Sequence, residues 1–292
     1  MLNNGFYTAL GTPLTKEGEI IESALRLHID QQIEAGAKGL LLMGSMGSQC
    51  AVRHSEYAKA VSIAQDAVAG RVPLFVGAMD NSLARVKDRL DMIGRGLPIA
   101  GIVLTTPFYS RTNEADAINF FTRAAEMSPY PIYIYDLPGV TQFKITLNVI
   151  DALINNNNIG GMKSPDWELI KKIERKYPDA QFECLYSGLD SFDYASALGI
   201  KKNLDGMFAC TPKNGKTMYE AIERGDYKTA RACLDNILLL RDRMVANGLF
   251  PCFTVCMNLL GVEGEFGYDY NVAVGDKEKA IMLATMKEIG EL

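Results

Sequence analysis

Histidine is almost missing from this chain: His28 and His54 are its only two in 292 residues. Neither belongs to an H-x-H or H-E-x-x-H pattern, so a zinc centre has no obvious ligand set. Both fall in helix-period segments, where packing or a place on the helix surface is the ordinary role. The six cysteines, Cys50, Cys184, Cys210, Cys233, Cys252 and Cys256, are scattered and form no C-x-x-C pair. They read as reduced thiols that pack as small hydrophobes in a cytoplasmic protein. No basic run interleaved with aromatics occurs and the formal net charge is −5, which argues against a nucleic-acid partner. The most apolar late stretch, 249–262, is interrupted by Pro251, Thr254 and Asn258, and it falls short of the ~20 residues a membrane-spanning helix needs. The opening MLNNGFYTAL has no basic start and no long apolar core, so no signal peptide is expected. Two nucleotide signatures are absent as well. There is no G-x-x-x-x-G-K-[ST] phosphate loop, and Gly11-Thr12-Pro13 stands where a G-x-G-x-x-G would follow the first strand.

What the chain does have is a repeated pattern. Apolar, β-branched or aromatic runs recur at 6–10, 39–43, 73–78, 101–105, 131–135, 159–163, 181–186 and 204–210. Each is nearly continuous rather than alternating, as parallel strands buried on both faces require. Helix-period segments lie between them. In ESALRLHIDQQIEAG the apolar Leu25, Ile29 and Ile33 share one face and Gly36 supplies a stop. HSEYAKAVSIAQDAVAG, NEADAINFFTRAAEM, WELIKKIERKY and SFDYASALG read the same way, and the asparagine tract of 154–161 reads as a helix C-cap and turn built on left-handed Asn. Eight strand–helix alternations predict an α/β fold, the (β/α)8 TIM barrel, over 1–216. From 217 to 292 no further strand is evident; Tyr227, Ala230, Leu234, Ile237 and Leu238 fall on one face, and a C-terminal helical extension is expected.

In such barrels chemistry sits at the C-terminal ends of the strands. Those positions hold Gly44-Ser45-Met46-Gly47 after the second strand, Tyr109 after the fourth, Tyr135 at the fifth, Lys163 at the sixth, Ser187–Asp190 after the seventh and Cys210 at the eighth. One by one these are ordinary rim, core and turn residues; together at one end they suit imine chemistry. A lysine must be neutral to attack a carbonyl, and an apolar strand end disfavours a charged amine. A neighbouring phenol can shuttle protons. Backbone N–H groups in a Gly-rich turn suit a carboxylate. The covalent imine on Lys163 is the chemistry expected, with no cofactor and no metal.

These motifs resemble those of the pyruvate-dependent class I aldolases, the family that includes N-acetylneuraminate lyase and dihydrodipicolinate synthase. GSMGS resembles that family's G-[ST]-[ST]-G-E turn. PFY at 107–109, YDLPG at 135–139, GMKSP at 161–165 and SGLD at 187–190 follow in the family's order and spacing, and GFYTALGTPLT resembles its first strand. The resemblance implies that Lys163 forms the imine with pyruvate and Tyr135 is the acid/base group. It implies that Ser45 relays protons to Tyr109, which in the family commonly comes from a neighbouring subunit. The backbone of Ser45 and Met46 would hold the substrate carboxylate beside Gly47. Gly188, Asp190, Ser191 and Cys210 would line the distal pocket. The implied assembly is a homotetramer, a dimer of dimers. The chain also departs from the family: Met46 replaces a Thr, Ser48 a Glu and Asp136 the Asn of Y-N-x-P, and Pro165 stands where sialic acid lyases have a threonine. Val140 stands where dihydrodipicolinate synthases carry an arginine for a dicarboxylic substrate. The implied activity is therefore cleavage or formation of a C–C bond between pyruvate and an aldehyde, on a 2-oxo-3-deoxy sugar acid or an N-acetylneuraminate-like substrate. Dihydrodipicolinate synthase, an imine-dependent dehydratase and a non-catalytic 2-oxo acid-binding paralogue are the alternatives.

Overall fold

A computed structural model describes all of residues 1–292. The strands are short: β1 (Gly5–Ala9), β2 (Leu40–Leu42), β3 (Leu74–Gly77), β4 (Gly101–Leu104), β5 (Ile132–Tyr135), β6 (Ile159–Ser164), β7 (Glu183–Tyr186) and β8 (Lys202–Asp205). All pair in parallel, in sequence order, and β8 closes onto β1 with Tyr7 opposite Leu204. The result is the closed (β/α)8 barrel expected from the pattern.

Strand alternation sorts the side chains into two cores. Tyr7, Ala9, Leu41, Phe75, Val103, Tyr133, Leu185 and Leu204 fill the barrel interior. The intervening Phe6, Leu40, Leu42, Val76, Ile102, Ile134 and Met162 face outward into a much larger cluster shared with the helices. That double burial is why the runs read as continuous rather than alternating.

Twelve helices surround and extend the barrel: α1 (Glu22–Glu34), α2 (His54–Val68), α3 (Leu83–Ile93), α4 (Glu114–Met127), α5 (Pro138–Thr141), α6 (Leu147–Leu153), α7 (Trp167–Lys176), α8 (Phe192–Ala197), α9 (Pro212–Glu223), α10 (Tyr227–Asn247), α11 (Leu249–Leu259) and α12 (Asp276–Glu288). Several starts are capped as their sequences dictate: Ser82 accepts from Arg85 N, Asn113 from Asp116 N and Asp166 from Leu169 N. Residues 217–292 hold no strand, and the boundary expected at 216/217 falls inside α9.

Two local readings differ from the structure. The asparagine tract turns without any left-handed Asn. Asn158 instead donates through Nδ2 to the carbonyls of Ala125 (2.8 Å) and Ser128 (2.9 Å) at the end of α4. The eighth strand is Lys202–Asp205 and not 204–210, because Gly206 breaks the run and Met207–Ala209 coil into a 3-10 turn.

Candidate active site

The centre is built from two adjacent strands. Tyr135 ends β5 and pairs with Lys163 on β6. Alternation sends both inward, since Ile134 and Met162 belong to the outer core. Lys163 is only 5% exposed, and its Nζ lies 4.0 Å from the centroid of the Tyr135 ring. The Tyr135 hydroxyl in turn sits 3.2 Å from Ser45 Oγ. An amine, a phenol and a hydroxyl thus form a chain from β6 through β5 to the turn after β2.

That turn is tightly made. Met43 (φ 52) and Ser48 (φ 48) occupy the left-handed region on either side of it, a conformation that is costly for residues with a Cβ and that gathers at functional sites. The Gly47 carbonyl accepts from Thr12 Oγ1 at 2.7 Å, and Ser48 N donates to Ser45 O at 3.1 Å. The backbone N–H groups of Ser45, Met46 and Gly47 donate no hydrogen bond within the chain. Three unspent donors in one turn make a nest for an anion. The Met46 side chain packs past the end of β1 against Gly206, just beyond β8. A Cβ placed on Gly206 would lie 2.6 Å from its Cγ, so only glycine fits beneath it.

The structure does not bring all the expected residues together. Tyr109 is 90% exposed and its hydroxyl has no partner in the chain. The residue is anchored by its backbone, its N–H and that of Phe108 both donating to Asn81 Oδ1 at 2.8 and 2.9 Å. Ser191 is engaged by the phenol of Tyr186, whose oxygen lies 2.7 Å from Ser191 Oγ. A Cβ on Gly188 would come within 2.1 Å of that phenol oxygen. Asp190 pairs with Arg241 of α10 at 2.6 Å, and this guanidinium holds its carboxyl below the usual range. Cys210 has no exposed surface. It lies beyond β8, fully buried in the outer core, with its thiol directed at Met207 O (3.4 Å) and burial pushing that thiol up.

Two charged residues escaped the sequence reading. Asp205 ends β8 and accepts from Met207 N at 2.8 Å. Burial raises its carboxyl above the usual range, and the charges of Lys163 and Arg241 partly offset this. Its signal was an acid inside an apolar run, NLDGMF. Arg241, from the C-terminal extension, left no local signal at all. Behind the centre, Asp136 is wholly buried. It accepts from Ser164 Oγ at 2.7 Å and Ile145 N at 3.1 Å and forms an ion pair with Lys144. No group of three or more His, Cys, Asp or Glu side chains comes together in a way that could hold a metal ion.

Comparison with known proteins bears on this geometry. Residues 3–268 match the model of the dihydrodipicolinate synthetase family. The 4-hydroxy-tetrahydrodipicolinate synthase of Acidiphilium cryptum is 28% identical over 99% of both chains. That of Syntrophus aciditrophicus is 31% identical over 82% of each. A prophage protein of the dihydrodipicolinic acid synthase family from E. coli K12, solved in complex with pyruvate, superposes with a TM-score of 0.88. It is 20% identical and covers 99% of each chain, a likeness of fold. Family model, relatives and a barrel with lysine, phenol and hydroxyl at one rim agree: the chain belongs to the dihydrodipicolinate synthetase family, whose members are pyruvate-dependent enzymes of the aldolase and lyase type.

Proposed function

We propose that Lys163 forms an imine with pyruvate and that the enzyme makes or breaks a C–C bond at the pyruvate methyl carbon. The observation that carries this reading is the buried Lys163 amine against the Tyr135 ring, with the phenol linked to Ser45. The amine attacks the C2 carbonyl, and the carbinolamine loses water to give a protonated imine. Loss of a C3 proton gives an enamine. Its C3 bonds to the aldehyde carbon while the aldehyde oxygen gains a proton, and water then hydrolyses the imine. Tyr135 suits each proton transfer. The unspent N–H groups of Ser45, Met46 and Gly47 suit the pyruvate carboxylate.

The names of the relatives support 4-hydroxy-tetrahydrodipicolinate synthase, with aspartate semialdehyde as the acceptor. Val140 supports the second reading, an aldolase or lyase for 2-oxo-3-deoxy sugar acids or N-acetylneuraminate-like substrates. It stands exposed on α5, where the synthases' arginine is expected. Purified enzyme supplied with pyruvate and aspartate semialdehyde, in parallel with pyruvate-release assays on sialic acid and 2-oxo-3-deoxy sugar acids, separates the two. Turnover of the semialdehyde alone establishes the synthase, and pyruvate release alone establishes the lyase.

Tyr109 completes the relay in this reading only from a second copy of the chain. Its 90% exposure at the rim, with Trp167, Tyr194 and Leu198 exposed on α7, on α8 and just beyond it, supports a homotetramer with two kinds of contact. A cytoplasmic setting fits the six free thiols.

A further inference from the structure

Each of the two central residues is followed in the chain by a residue that points the other way, Asp136 after Tyr135 and Ser164 after Lys163. These two meet behind the barrel wall. Ser164 Oγ donates to Asp136 Oδ2 at 2.7 Å and accepts from Asp166 N at 3.1 Å. Asp136 N donates to Lys163 O at 2.8 Å, and Asp136 Oδ1 accepts from Ile145 N at 3.1 Å. Asp136 is a wholly buried carboxylate, and its cation is Lys144, which also reaches Asp166 Oδ2 at 3.3 Å. Asp166 caps α7 through Leu169 N at 2.9 Å. The ammonium of Lys144 therefore closes a ring that fixes the segments leaving both β5 and β6.

We propose that Lys144 is a positioning residue: by compensating the buried Asp136 carboxylate it holds Lys163 and Tyr135 in reactive alignment and keeps an unbalanced negative charge away from the Lys163 amine. A buried carboxylate stripped of its partner is costly and acts over a distance, whereas a charged pair removed together leaves little field behind. The asparagine usual at this position in the family needs no such cation. Inside the barrel the charge of Asp205 on β8 interacts with that of Lys163, beside the Tyr135 ring, and behind the wall Asp136, Lys144 and Asp166 form one connected group. Asp190 and Arg241 pair with each other.

The proposal rests on Lys163 being the reactive amine, so its test reads that amine without pyruvate. Lys163 in the full-length enzyme is acylated competitively with acetic anhydride from pH 6 to 11, and its peptide is quantified by mass spectrometry. Wild type, Lys144→Met and the double variant Asp136→Asn/Lys144→Met are compared. In Lys144→Met labelling of Lys163 at pH 8 falls severalfold. The double variant returns to within roughly threefold of wild type. Thermal unfolding run alongside shows whether Lys144→Met is folded. If it is not, Lys144→Gln, which keeps a hydrogen-bond donor toward Asp136 and loses only the charge, is measured in its place with the same expectation. Identical labelling curves in all three proteins overturn the proposal, as does a double variant no better than the single one. A separate failure to trap pyruvate on wild-type Lys163 overturns the aldolase reading and leaves the labelling result standing.

Discussion

At the scale of single residues, Tyr135 and Met46 make opposite kinds of claim. Replacing Tyr135 by Phe removes the proposed proton shuttle and leaves the amine, so imine formation and turnover should slow by roughly 10²–10⁴-fold without loss of fold; stopped-flow and steady-state assays check this. Met46 makes a packing claim. It lies on Gly206, with both its Cβ and its Cγ under 3 Å from where a Cβ would stand there, so Gly206→Ala should destabilise the wild type and be tolerated in a Met46→Gly background. A double-mutant cycle on urea midpoints should give a coupling of about 0.5–3 kcal/mol, and additive effects would place the two side chains apart. His28 makes a claim about pH. It is fully buried with both ring nitrogens unpartnered, and burial lowers it to about 3. The folded state thus resists a proton that the unfolded chain accepts near 6.5. The stability from neutral His28 is complete above that value and is lost as pH falls from about 6.5 toward 3. Asp205 and Glu291, raised by burial, work the other way as their carboxylates titrate. Between pH 7.5 and 5 the wild type should lose about 2 kcal/mol more than His28→Leu, read from urea unfolding; equal losses would contradict the assignment.

At the scale of elements, the sequence was most readable where physics imposes the simplest pattern. Parallel strands covered on both sides must be apolar throughout, and all eight runs contain or overlap strands. β5 ends at Tyr135 as the run 131–135 predicts, and β6 runs one residue past the predicted Lys163 to Ser164. The eighth run misled because apolarity alone cannot tell a strand from a buried 3-10 turn. Met207, Phe208 and Ala209 are as buried as any strand residue, and Cys210 follows them beyond the strand. Contacts across long stretches of sequence were illegible for a different reason. Arg241 meets Asp190 some fifty residues away, and no periodicity encodes that. Glu291 is another such case. Thr211 gives α9 no side-chain cap, and the Glu291 carboxylate takes that place, accepting from Lys213 N at 3.1 Å, Asn214 N at 2.8 Å and Asn214 Nδ2 at 2.7 Å. Glu291→Ala should strand these buried donors at a cost of about 1–3 kcal/mol and lower Tm by several degrees, as scanning calorimetry would show. An unchanged Tm would mean that water replaces the carboxylate at no cost.

At the scale of the whole molecule, the barrel supplies a rigid frame and the loops set specificity. The lysine, the phenol and the turn hydroxyl come from β6, β5 and the β2 loop, and they meet because parallel closure puts every strand's C-terminal end on one rim. Met46 is a departure from the family's turn, and in the proposed reading it stands with Asp190, Arg241 and Asp205 toward the part of the substrate the imine does not touch. Tyr109 also belongs to this scale. If a second copy completes the relay, sedimentation should show an oligomer, and Tyr109→Phe should slow turnover while leaving the assembly intact. A monomer with full activity would remove Tyr109 from the account. The central claim, that Lys163 carries the substrate as an imine, has the most direct test. The enzyme is incubated with saturating pyruvate and sodium borohydride, digested and weighed peptide by peptide. The account requires a single reduced pyruvyl adduct on the peptide holding Lys163, absent from Lys163→Met. No adduct, or an adduct on another lysine, would contradict it.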